Sequence, residues 1–147
     1  MCLFLKKNVP DEETFKTAEK DLTFYKVLLY GEDVKGDRVY FTPYRVMLVR
    51  FGKLYQDDDT QYFVTEPGTP EPEYDRRIFS GGFHLFRDYE DAVDFGEMFK
   101  NTCVVKAVVP EGTRYAVGDY KLCRFGRVYK SVVTKGVIYY GQPKEEL

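Results

Sequence analysis

The chain has no tryptophan and a single histidine, and these scarcities exclude more chemistry than its abundances assign. With His84 alone, neither a histidine dyad nor a multi-histidine metal centre can be built. The three cysteines, Cys2, Cys103 and Cys123, are odd in number and lack C-x-x-C spacing. That argues against a disulfide framework and against structural zinc. Cys103 lies in an apolar run and reads as a small buried hydrophobe. No stretch approaches the ~18 apolar residues of a membrane span, so no membrane partner is expected. The apolar patch at Met1–Leu5 is too short for a signal-peptide core, and its lysines follow the patch. The setting that fits is reducing and cytoplasmic.

Sequence fingerprints of bound phosphate are also missing. There is no G-x-x-x-x-G-K-[ST] and no G-x-G-x-x-G after a strand, nor a nucleophile elbow or an H-E-x-x-H pair. No cofactor and no metal are expected. Asp57-Asp58-Asp59 lacks the alternating spacing of a calcium loop, and consecutive residues on an extended chain point to opposite faces, so it reads as a solvated acidic turn.

What is present is aromatic. Thirteen tyrosines and twelve phenylalanines in 147 residues favour half-buried pleated surfaces. The expected fold is one α+β domain over 1–147, a mostly antiparallel twisted sheet with one helix. Leu22–Tyr30 and Val39–Thr42 read as a hairpin around the Lys35-Gly36-Asp37 turn. Tyr44–Tyr55 reads as a buried strand broken at Gly52, and Tyr62–Val64 as a short one. Pro67, Gly68, Pro70 and Pro72 among acids make 66–77 a loop. Phe79–Phe86 reads as one strand interrupted at Gly81-Gly82.

Asp88 then makes an N-cap for a helix over 89–100, whose stripe is Tyr89, Ala92, Val93, Gly96 and Phe99. Thr102–Val109 is a β-branched strand closed by Pro110–Thr113. Arg114–Val117 ends at a Gly118-Asp119 turn, and Ser131–Tyr140 is a last strand bent at Lys135-Gly136. Asp11–Thr14 can open a short N-terminal helix, and 141–147 reads as a frayed tail.

Net charge is −2, yet the balance is −8 over 56–100 and +4 over 101–147. Within the basic stretch, cations alternate with aromatics. Arg114, Tyr115, Lys121, Arg124, Phe125, Arg127 and Tyr129 are the candidate ligand-binding residues. Guanidinium groups match phosphate bidentately, and aromatic faces stack on bases. A nucleotide-like small molecule suits such a segment better than duplex DNA, given the acidic pI. The same alternation also describes a strand with one buried face. His84 joins the candidates because it follows Gly-Gly-Phe and precedes the helix start. Its alternative role is a structural histidine bonded to backbone there.

From Gly82 onward the order of features resembles an ADP-ribosyltransferase-like fold. The likeness rests on Gly82–Phe86, on Asp91–Phe95, and on the strand Val104–Val109 running into Pro110-Glu111-Gly112-Thr113. Tyr25-Lys26-Val27 matches the family's early strand in place only. Ser131–Tyr140 holds no acid where the family carries its catalytic glutamate, so no catalytic residue is carried over. The chain is also similar to a family of small phage and gut-bacterial proteins that open with Met-Cys-Leu and share Val-Pro-x-Gly-Thr-x-Tyr, a likeness that brings no activity with it. The leading expectation is a non-enzymatic, phage-encoded binding protein that holds a nucleotide-like anion, such as a host defence signal. An ADP-ribosyltransferase-like enzyme using NAD and His84 is one alternative. A structural or protein-interaction domain with no small ligand is the other.

Overall fold

β-Branched and aromatic side chains recur along most of the chain, and they have folded into one thirteen-stranded sheet in which every pairing is antiparallel. The structure is a computed structural model and describes residues 2–6, 13–43, 46–64, 74–122 and 127–141. The strands are β1 (Cys2–Lys6), β2 (Lys16–Thr17), β3 (Leu22–Glu32), β4 (Arg38–Phe41), β5 (Leu48–Val49), β6 (Leu54–Gln56) and β7 (Gln61–Val64). They continue with β8 (Tyr74–Ser80), β9 (Phe83–Phe86), β10 (Thr102–Val109), β11 (Arg114–Leu122), β12 (Arg127–Thr134) and β13 (Gly136–Tyr140). The helix α1 spans Tyr89–Gly96. The main order across the sheet is β6-β13-β10-β3-β9-β12-β11-β1-β8-β7. The antiparallel sheet with one helix is as expected, but the class is mainly β rather than α+β.

Side-chain alternation gives the sheet two packed faces. On one face α1 lays Ala92 and Phe95 over Val27, Phe86 and Tyr129. On the other, Leu28, Leu85, Val105, Ala107, Val109, Val132 and Tyr139 form the larger core. That second face is concave. The rings of Phe24 on β3 and Tyr115 on β11 are 6.5 Å apart, although two strands lie between theirs. Three flat strand spacings would separate them by about 14 Å, so the sheet curls around this core.

The helix is shorter than the 89–100 expected. Beyond Gly96 its hydrogen bonding tightens, with Met98 N–H donating to Phe95 O and Phe99 N–H to Gly96 O. Asp88 holds the N-cap position with extended backbone but makes no side-chain cap bond. The buried stripe is Ala92, Phe95 and Gly96, while Tyr89 is exposed.

Several expected boundaries move. Residues 44–55 form no buried strand among the described residues: Val46 sits at φ 51°, in the left-handed region, and only Leu48–Val49 and Leu54–Gln56 pair. Residues 74–77 belong to β8, not to the 66–77 loop, because they pair with Leu3–Lys6. Positions 66–73 lie outside the described residues, as do 11–12 and 142–147. The strand expected to stop before Gly118 runs on to Leu122, since Gly118 pairs with Ser131. Ser131–Tyr140 is two strands, split at Lys135, whose amide bonds Arg114 O.

Phe79–Phe86 is likewise two strands. Gly81 and Gly82, at φ 82° and 76°, turn the chain between β8 and β9, and Asp57 accepts a 2.9 Å bond from Gly82 N–H. The acidic turn is therefore solvated only in part: Asp58 and Asp59 are exposed, but Asp57 pins the glycine pair.

Candidate functional site

The basic–aromatic segment folds as the hairpin of β11 and β12, in register from Tyr115 opposite Thr134 to Leu122 opposite Arg127. Arg114 and Arg127 thus stand at opposite ends, about 27 Å apart along the strand. The structure does not gather the segment into one site. Arg124 and Phe125 lie outside the described residues, and Lys121 is placed only by its backbone pairing with Val128.

Arg127 and Tyr129, two residues apart on β12, share the face covered by α1, where Tyr129 is buried and Arg127, at the strand's first position, is half-exposed. Tyr129 is 2% exposed and edge-on to Phe86 and Phe95. Its hydroxyl donates to Asp94 Oδ2 at 2.7 Å, and Arg127 Nη1 donates to the same oxygen at 2.6 Å. One turn earlier on α1, Asp91 Oδ2 accepts from Lys130 N–H at 3.0 Å. The helix carboxylates therefore fasten α1 to β12 through Tyr129, Arg127 and the Lys130 amide. Sequence reasoning assigned neither acid a partner across the sheet.

The triad's titration follows from this geometry. The Tyr129 hydroxyl, then Arg127, holds the Asp94 carboxyl below its ordinary range against the opposing effect of burial. Burial, then the Asp94 carboxylate, pushes the Tyr129 phenol up. A carboxyl lowered on folding contributes stability above its unfolded pKa and loses it as pH falls through its folded value. Tyr129→Phe should cost about 1 kcal/mol near neutral pH, the usual net worth of such a bond. The gap from wild type should shrink on acidification, read from denaturant midpoints across the carboxylate range.

His84 sits within β9, opposite Val133, and is half-buried. Its carbonyl accepts from Lys26 Nζ at 2.8 Å. That bond involves the backbone of His84 and not its imidazole, and the residue lines neither cleft described below.

Arg114 and Tyr115, by contrast, open β11 between two clefts. Strand β2 pairs with both residues, setting Thr17 opposite Arg114 and Lys16 opposite Tyr115. Tyr115 lines a cleft of about 750 Å³ with Lys16, Thr17, Glu19, Lys20 and Leu22. Its half-buried ring packs on the concave core, so an apolar floor meets two exposed lysines and one acid. Among the described residues neither Lys16 nor Lys20 forms an ion pair. Arg114 lines a second cleft of about 420 Å³ with Lys135, Asp58 and Glu111. There the charges balance, and the Arg114 and Lys135 cations lie over the Phe15 ring at 5.8 and 4.9 Å. Lys16 and Lys20 escaped sequence reasoning because they lie about a hundred residues before Tyr115, and only the β2–β11 pairing joins them.

The described residues contain no group of three or more metal-ligating side chains and no helix long and apolar enough to cross a membrane. No known protein family, curated protein or solved structure matches the chain.

Proposed function

We propose that the protein is a non-enzymatic binding module for a small nucleotide-like anion, and that the ligand lies in the cleft of Tyr115, Lys16 and Lys20. The carrying observation is that two exposed lysines flank an aromatic and aliphatic floor in a cleft of ligand size. In this reading Tyr115 and Leu22 receive the planar part, while Lys16 and Lys20 meet the phosphate as point charges. The site keeps one member of the basic–aromatic segment and replaces its distal arginines with cations from β2 and the turn after it.

The test is a melting series with ATP, ADP-ribose and inorganic phosphate. A bound ligand at about 100 times its dissociation constant should stabilise the protein by about 2.7 kcal/mol. Lys16→Ala with Lys20→Ala should abolish that shift and leave the apo protein nearly as stable, because exposed charges contribute little to folding. Added salt should weaken binding in parallel. A shift unchanged in the double variant would move the ligand elsewhere. The absence of a shift with any of the three probes would favour a domain that takes no small ligand.

A further inference from the structure

We propose that the free edge of β6 pairs with β6 of a second copy, making a two-fold dimer through a continuous antiparallel sheet. Strand β6 ends the sheet: it bonds β13 on one side and, among the described residues, has no strand on the other. Asp57 N–H donates to Lys135 O at 2.8 Å, in line with the register that sets Gln56 opposite Gly136. Hydrogen bonding alternates along an antiparallel strand, so the amides and carbonyls of Leu54 and Gln56 point away from β13. The edge is short, three residues, so it offers a second strand the amides and carbonyls of Leu54 and Gln56 alone and needs matching side chains to select a partner.

The sequence across this edge is complementary to itself. Arg50 and Lys53 precede the strand, and Asp57, Asp58 and Asp59 follow it. Two copies pairing antiparallel about Tyr55 would set Leu54 opposite Gln56 of the second copy, with both outward amides and carbonyls bonded. Lys53 would stand opposite Asp57 of the second copy, so each basic end meets an acidic end. Such an interface is isologous and closes at two copies. A shifted or parallel pairing loses this match of charge.

The side chains agree with the backbone. Tyr55 turns into the concave core, its ring 6.0 Å from that of Tyr139. Leu54 takes the opposite face, in cross-strand register with Ile138 and through it with Val108. Leu54 is 44% exposed, and Tyr140 on the same face is 43% exposed. Pairing would bring the two apolar strips side by side across the two-fold axis.

Sedimentation of the full chain from low to high micromolar concentration tests this, together with amide hydrogen exchange on the same samples. The mass should double with concentration, and exchange at Leu54 and Gln56 should slow in step with it. Lys53→Glu, an exposed change, should weaken dimerisation about tenfold through two reversed charge pairs. Gln56→Pro removes an outward amide and should give a monomer. Monomer mass throughout, with no concentration dependence of exchange at these amides, would overturn the proposal. A dimer unmoved by either variant would overturn it equally, by placing the interface elsewhere.

Discussion

Phe95→Ala should destabilise the protein by about 3–5 kcal/mol, the range for truncating a large buried aromatic. Phe95 is 1% exposed and is the centre of the helix-side core. Its ring meets Phe86 at 5.0 Å, Phe99 at 5.4 Å, and Tyr120 and Tyr129 at 6.0 Å. Removing it leaves a void between α1 and the sheet that rigid neighbouring rings cannot collapse to fill. Phe99, half-buried beyond the helix end, should give a smaller loss on the same truncation. Urea melts of the two variants check this, with midpoints shifted at a common slope. A Phe99→Ala loss as large as that of Phe95→Ala would show that the stripe continues past Gly96.

The second large effect belongs to Gly82. An alanine there would carry φ 76°, and its Cβ would stand 2.8 Å from Val133 Cγ1 and 2.9 Å from Thr60 Cγ2. Backbone strain of about 1–3 kcal/mol adds to overpacking of about 1–3 kcal/mol. A total near 2–6 kcal/mol is expected, against about 1–3 kcal/mol for Gly36→Ala, where the added atom meets nothing within 4 Å and only the strain of the positive φ remains. Thermal melts of both variants separate crowding from backbone conformation. Equal losses would mean that the neighbours of Gly82 give way.

The sequence carried the strands best where β-branched residues run without interruption. Thr102–Val109 has the expected bounds because its alternation, its apolar content and the Pro110–Thr113 turn all agree. It failed where the deciding contact was remote. Gly118-Asp119 has the composition of a turn, yet pairing with Ser131 and Lys130 carries the strand through it. Tyr44–Tyr55 has the apolar content of a buried strand, but left-handed Val46 and exposed Leu48 deny it that role.

The same limit governs the site. Charge alternating with aromatics along 114–130 marked a real strand pair, and period-two geometry then set Arg127 and Tyr129 on one face, where both bond Asp94 of α1. Of the candidates with described side chains, Arg114 and Tyr115 line the two clefts beside β2 and β13. The lysines that complete the Tyr115 cleft come from the other end of the chain, where no local pattern could announce them.

The sheet order also fixes how the chain must fold. Strand β3 is zipped along Leu22–Leu29 to β10, while its other edge meets β9 at Tyr25 and β4 from Leu29 onward. Asp21 caps the Glu111 amide 90 residues away, and β1 reaches across to β11. Strands β3, β4 and β5, and β1, β7 and β8, can pair within the first 80 residues, but the long core pairing of β3 with β10 waits for Thr102–Val109. A ribosome-bound N-terminal half would therefore have no independent folded state. High-contact-order sheets of this kind reach their native state in milliseconds to seconds rather than microseconds. Cutting the chain near its middle should yield two fragments that acquire structure only when mixed.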